Sequence, residues 1–304
     1  MSRVVFHIGY HRTASTFLQE RVLPAMAVDA VIKPDVRALI TEDAFAPEPV
    51  RAAWLPVRRD PTRPLVISAE QLSGRPAGGP PAQRLRTADR LHALWPDAHV
   101  LLVIRNQLDL LLSIYSYRVL LRGLESRDLV TWIDANADEL RGGLCYDALV
   151  AHYQARFGAD HVHVVPFELL RRSEAAFLAD VAAAIGAPPP TGLPPASRVN
   201  ESTRDARLLR VNRALNVPLD RTLRPLRATG VIDGATYLRL ARPYFLFKDR
   251  VLNPLLRRRL GDGGPRLEVP PSALGRFGSL VRASNARLAT MIGRDLGGFG
   301  YLVP

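Results

Sequence analysis

Five short apolar runs punctuate the first two-thirds of the chain: Val4 to Ile8, Ala30 to Ile32, Leu65 to Ser68, His99 to Ile104 and His161 to Pro166. Each is bounded by polar or turn-forming residues, and helical spacing of apolar positions follows most of them. After the first run, Phe17, Leu18, Val22 and Leu23 lie on one helical face. Residues 83–95 repeat through Leu85, Leu91 and Leu94, and Leu108 to Tyr115 opens a long apolar helix. Further helices are expected over 126–140, 146–157 and 172–185, the last stopped by Gly186 and the prolines at 188–190. Runs as continuous as HVLLVI fit strands covered on both faces. Strands alternating with helices imply right-handed crossovers and a mostly parallel sheet. The expected fold class is therefore α/β, a central, mostly parallel sheet flanked by helices in three layers.

From about residue 203 the pattern is helical and basic, over 203–217, 233–260 and 272–292, with a break at Gly261 to Pro271. We expect one domain over 1–304, a core of 1–200 and a helical C-terminal extension of 201–304. The stretch RPAGGPPAQ, residues 75–83, reads as a loop. The segment Tyr244 to Leu260 is apolar with a basic end; it could rest on a membrane or pack on the core, and packing is expected.

Composition narrows the class. A chain of 304 residues, 47% hydrophobic, is long enough to bury a large core. No apolar run is long enough to cross a bilayer, and the N-terminus enters its strand without a charged-apolar-small leader, so a cytoplasmic protein is expected. The single cysteine, Cys145, excludes an internal disulfide and makes a cysteine-based metal site implausible. His7 and His11 lie on a strand and in a turn, not as a helical pair, and are read as non-ligands; no metal is expected. The net charge of +12, almost all arginine, admits nucleic acid, an anionic membrane surface or anionic small ligands and polymers. No nucleic-acid-binding motif is visible, so no nucleic-acid partner is expected.

Chemistry concentrates at the strand ends. The first run breaks at Gly9 into Tyr10-His11-Arg12-Thr13-Ala14-Ser15-Thr16 before a helix begins. A strand, a hydroxyl-rich turn with a cation, and a helix start make an anion cradle, since the unpaired N–H groups and the helix dipole both favour negative charge. The same hydroxyls also suit plain helix N-caps. Arg105 follows the most apolar strand, with Ser113 eight residues on; Glu70 follows the third run, and Phe167-Glu168 the last. Ligands of parallel sheets bind beyond the carboxyl ends of the strands. Two cationic ends and a carboxylate suit a ligand with two phosphate-like groups and a nearby base.

The motifs also carry a resemblance. GYHRTASTFLQ resembles the 5′-phosphosulfate loop of the PAPS-dependent sulfotransferases, VLLVIRNQLDLLLSIYSY is similar to their 3′-phosphate signature, and VHVVPFELLRRSEAAFLADVAAAIGAP is similar to their later strand, turn and helix. All three come in the family's order between residues 4 and 188; RVNES is only loosely similar to a family element, and the C-terminal third is otherwise not covered. The resemblance, nearest to a bacterial, glycan-directed branch, implies a P-loop-like fold and sulfuryl transfer from 3′-phosphoadenosine 5′-phosphosulfate (PAPS). It places Arg12 against the 5′-phosphate and the bridging oxygen, Thr13, Ala14, Ser15 and Thr16 around the phosphosulfate, Arg105 and Ser113 on the 3′-phosphate, and Glu70 as the base. Two positions depart from the family: Ala14 stands where glycine is common, and Arg12 is a poorer mobile proton donor than lysine.

The mechanism implied is in-line displacement at sulfur, without a metal, onto a hydroxyl or amine of a small-molecule or glycan acceptor. Of the alternatives, a P-loop kinase would need GxxxxGK[ST], whereas the chain reads GYHRTAST from Gly9. A non-catalytic binder of anionic polymers would need only the charge. Glu168 is read as structural, Asn200 and Ser202 as loop caps or cofactor contacts, and Tyr115, Tyr117 and Trp132 as packing.

Overall fold

The structure, a computed structural model, describes residues 2–10, 12–74, 81–122, 124–193, 204–261 and 263–304. The RPAGGPPAQ loop up to residue 80, His11, and Asn200 and Ser202 lie outside them. The expected runs form five strands: β1 (Val4–His7), β2 (Asp29–Ile32), β3 (Leu65–Ser68), β4 (His99–Ile104) and β5 (Val162–Pro166). They make one parallel sheet in the order β2-β3-β1-β4-β5. Because β1 is central, with Val4 beside Leu65 and Val5 beside His99, its carboxyl end is flanked by those of β3 and β4.

Both faces of the sheet are dry. On one, Val5, Val66, Leu101, Val103 and Val165 pack against Leu18, Val22, Phe177, Val181 and Ile185 from the helices that follow β1 and β5. On the other, Phe6 meets Trp95 and Phe157, with ring centroids 5.9 and 6.3 Å apart, and Trp95 stacks on Trp54. This two-sided burial is why the strands read as unbroken apolar runs. The result is the expected three-layer α/β fold.

The chain divides into two compact units: Met1–Gln107, Asn136–Val199 and Arg276–Pro304 form the first, Leu108–Ala135 and Asn200–Gly275 the second. The first holds the sheet. The second is helical, with an apolar centre of Leu124, Leu223, Ala241 and Phe245. Tyr115 and Trp132 are buried against each other in it, ring centroids 5.5 Å apart.

Two helices depart from the sequence pattern. The helix expected to end at 217 runs from Ala206 to Ala228 through Pro218 and Pro225. A proline inside a helix removes a hydrogen bond and crowds the preceding turn, but here Leu208, Leu209, Asn212, Asn216, Asp220 and Leu223 are buried along one face, and that packing prevails. The segment 233–260 is helical in three pieces, Gly234–Phe247, a wider π turn at Lys248–Leu252, and Asn253–Leu260. A second π turn lies at Arg118–Arg122. Carbonyls displaced by a π turn need other donors. Asn216 Nδ2 and Lys248 Nζ donate to Val119 O at 3.0 and 2.6 Å, and Asn253 Nδ2 donates to Leu120 O at 3.2 Å. Among the described residues, no helix is long and apolar enough to cross a membrane.

Lys248 is fully buried, and its other hydrogen bond is to Asn216 Oδ1 at 2.9 Å. Burial pulls its pKa from 10.5 down to about 7. Between these values the unfolded chain holds a proton that the folded chain does not, so Lys248 makes stability rise with pH from about 7 towards 10.5. The urea midpoint of the protein is expected to climb between pH 7 and pH 9, and the Lys248→Met variant to lose that slope even if it is less stable throughout.

Candidate functional site

The carboxyl ends of β1, β3, β4 and β5 supply the groups singled out in the sequence. Past His7 the chain stays paired with β4, Ile8 N donating to Leu101 O and Tyr10 N to Val103 O. It then turns sharply. Arg12 (φ 71°) and Ala14 (φ 62°, ψ 17°) both adopt the left-handed conformation, which an L side chain resists. Helix begins at Ser15 and runs as Ser15–Phe17, a π turn Leu18–Val22, and Leu23–Ala25. No side chain caps its start, so the first amides face the turn without a side-chain partner.

Two contacts hold the turn. Thr13, buried, donates its hydroxyl to Tyr10 O. Arg105 Nη1 donates to Arg12 O at 2.9 Å. Arg105 is itself buried, its guanidinium 5.0 Å from the centre of the Phe167 ring and its carbonyl accepting from the Tyr146 hydroxyl at 2.7 Å. The structure thus gives Arg105 a role the sequence did not suggest, that of bracing the left-handed Arg12. Thr13 likewise uses its proton inside the loop. Ser15 is different: its buried Oγ has no hydrogen-bond partner.

Beneath the loop lies a polar network that sequence reasoning missed. His7 Nδ1 and Ser68 Oγ are 2.7 Å apart, and Gln19 Nε2 donates to the same hydroxyl at 3.1 Å. Burial lowers the His7 pKa to about 4, against a smaller opposing pull from Glu70, so the ring is neutral at pH 7. Its Nε2 is buried and has no hydrogen-bond partner. A Cβ on Gly9 would lie 2.8 Å from that atom, 3.3 Å from Thr13 Oγ1 and 3.4 Å from Ser15 Oγ. Glycine is required there for space, and three polar atoms converge on it. A histidine on an apolar strand gives no local sign of this; only its pairing with Ser68 on the neighbouring strand does.

Glu70 opens the short 3-10 turn Glu70–Ser73 that follows β3. Ser73 Oγ donates to Glu70 O at 2.9 Å and reaches Gly9 O at 3.3 Å, tying this turn to the loop. Arg84 secures it from below. Its Nε donates to Ser73 O at 2.8 Å, its Nη1 to Gly142 O, and its guanidinium sits 5.0 Å from the centre of the Tyr10 ring. Burial lowers its pKa from 12.5 to about 10. Gly74 has φ 77°, and a Cβ there would meet Arg84 Cγ at 2.4 Å.

At the ends of β4 and β5, Glu168 accepts from Asn106 N at 2.8 Å and from the Tyr301 hydroxyl at 3.1 Å. Burial raises its pKa, the Asn106 amide opposing. It holds a turn, as read from the sequence. Asn106 Nδ2 and Arg172 bond Gly300 O and Gly298 O, so the last residues of the chain complete this corner. Ser113 is buried on the helix Gln107–Tyr117 and belongs to the second unit; its pairing with Arg105 remains what the resemblance implies.

No protein-family model matches the chain, and no curated protein does. Among solved structures, a sulfotransferase from Alicyclobacillus acidocaldarius superposes with a TM-score of 0.54 at 16% identity, covering 99% of this chain and 100% of that one. The fold is that of a sulfotransferase. A mouse sulfotransferase, SULT7A1 complexed with PAP, matches with a TM-score of 0.37 at 10% identity, covering 71% of this chain and 63% of that one, too low to bear on the site. Within this fold, the left-handed loop lies at the carboxyl end of the central strand.

The strain at Ala14 is open to measurement. A left-handed alanine costs about 1–2 kcal/mol, and glycine removes most of that while adding some unfolded-state entropy. Ala14→Gly is therefore expected to stabilise the protein by about 1 kcal/mol in urea unfolding, the reverse of what glycine does within a helix.

Proposed function

We propose that this chain is a sulfotransferase that moves the sulfuryl group of PAPS to a hydroxyl or amine of an acceptor. The observation that carries this reading is the left-handed loop of residues 9–16, braced by Arg105 and followed by an uncapped helix start, at the carboxyl end of the central strand. The site's unpaired buried atoms suit such a donor. Ser15 Oγ and His7 Nε2 lack partners, and a group rich in acceptor oxygens satisfies donors of this kind.

Bound PAPS would supply an activated sulfuryl group on a good leaving phosphate. The chain's own residues then divide the work. Arg12, Ser15, Thr16 and the loop amides, Ala14 among them, surround the phosphosulfate, with Thr13 shaping the loop from within. Arg12 and the helix start stabilise the charge that grows on the leaving oxygen. Arg12 does so by charge and hydrogen bonds rather than by releasing its proton, because a guanidinium stays protonated. Arg105, with Ser113, holds the 3′-phosphate while its Nη1 keeps the loop in shape. Glu70 takes the acceptor's proton as its oxygen or nitrogen attacks sulfur and the bond to the phosphate oxygen breaks. A carboxylate base and a basic surface favour a sugar hydroxyl on a glycan or glycosylated metabolite as the acceptor.

Retention of the protein on immobilised adenosine 3′,5′-bisphosphate, without magnesium, tests the donor assignment; failure to be retained would overturn it. Glu70→Gln is expected to be retained like the unaltered protein but to transfer labelled sulfate about 10²–10⁴-fold more slowly in an acceptor screen. Normal transfer by that variant would remove Glu70 from the role of base.

A further inference from the structure

The second unit carries an apolar face that its own fold does not cover. Along Gly234–Phe247, Lys248–Leu252 and Asn253–Leu260, the inward positions are Ala241, Phe245, Lys248 and Asn253, all buried. On the outer side, Leu240 (51% exposed), Phe247 (50%), Val251 (43%) and Leu255 (56%) follow one another at i, i+7, i+11 and i+15. That spacing lays them along one stripe of a helical rod. Leu238 and Leu246, 52% and 41% exposed, lie off the stripe on the same helical run. A soluble helix normally shows water its charged side, and large apolar residues repeated at this period on the exposed side mark a surface meant to be covered.

The residues around the stripe say what covers it. Arg239, Arg242, Arg250, Arg258 and Arg259 are exposed on the same helical run, and the acidic residue among positions 234–260 is Asp249. Long arginine side chains beside an apolar stripe can reach towards phosphates while the stripe enters the acyl boundary. A second copy laid on the same face would set these arginines against its own. An anionic polymer would use the arginines but leave Phe247 and Leu255 in water.

We infer that the helical run Gly234–Leu260 is a membrane-surface contact that places the protein on an anionic lipid bilayer, with Leu240, Phe247, Val251 and Leu255 in the interface and the flanking arginines on lipid phosphates. The contact lies in the plane of the surface, and its strength is the sum of apolar burial and attraction to lipid charge. It stands independently of the transfer reaction.

Flotation of the full-length protein with vesicles is the test. The protein is expected to float with phosphatidylcholine vesicles containing phosphatidylglycerol, and not with phosphatidylcholine alone. The double substitution Phe247→Ser, Leu255→Ser, at exposed positions, should abolish flotation while leaving the thermal midpoint unchanged. Each arginine replaced by serine among Arg250, Arg258 and Arg259 should weaken binding about fivefold. Absence of flotation with anionic vesicles would overturn the inference. So would binding that depends on the arginines but not on Phe247 and Leu255, the signature of a polyanion site, or sedimentation as a dimer that Phe247→Ser converts to monomer.

Discussion

The hydrogen bond from Arg105 to the carbonyl of Arg12 is the constraint around which the site is arranged. Two left-handed residues that are not glycine occur within three positions of each other, and each is intrinsically unfavourable. A conformation of this kind persists only where its surroundings over-determine it. Here a buried guanidinium, fixed over Phe167, supplies a charge-assisted hydrogen bond from the neighbouring strand end, and the Thr13 hydroxyl closes the turn from inside. The bend turns the start of the helix towards the space beyond the sheet.

The layer below serves the same end by different means. His7, Ser68 and Gln19 form a neutral network, and Arg84 brings a cation under the Glu70 turn. Placing a charge in the interior is costly without compensation, and Arg84 is compensated by two carbonyls and an aromatic face. The loop and the carboxylate turn are thereby fixed to each other through Ser73 and Gly9.

The parts of this design that were legible in the sequence are those written locally. Strand runs buried on both faces are continuous in residue type, so four strands could be placed, whereas the half-exposed edge strand at Asp29–Ile32 read only as a possible brief one; the strand-to-helix breaks marked Arg12, Glu70 and Arg105. What stayed hidden depends on residues far apart in the chain. His7 and Ser68 are register partners on adjacent strands but lie 61 residues apart in the chain, and Arg84 comes to the Glu70 turn from the helix that follows it. The continuation of the helix through Pro218 was hidden for a related reason: proline's local cost is visible, while the buried face that overcomes it is a property of the fold. Ala14 was flagged through the resemblance alone, as an alanine where glycine is common, and its left-handed conformation is the reason the position matters.

The closing contact of the corner near Arg105 comes from the far end of the polypeptide. Glu168 is completed by Tyr301, and Asn106 by Gly300. During synthesis β1, β4 and β5 emerge long before those residues, so the nascent sheet meets the solvent with Glu168 and Asn106 still lacking these partners. Contacts this distant in sequence form late, because a long loop must close before they contribute. The order in which the chain leaves the ribosome therefore puts the loop after β1 ahead of the residues that complete the corner beside it.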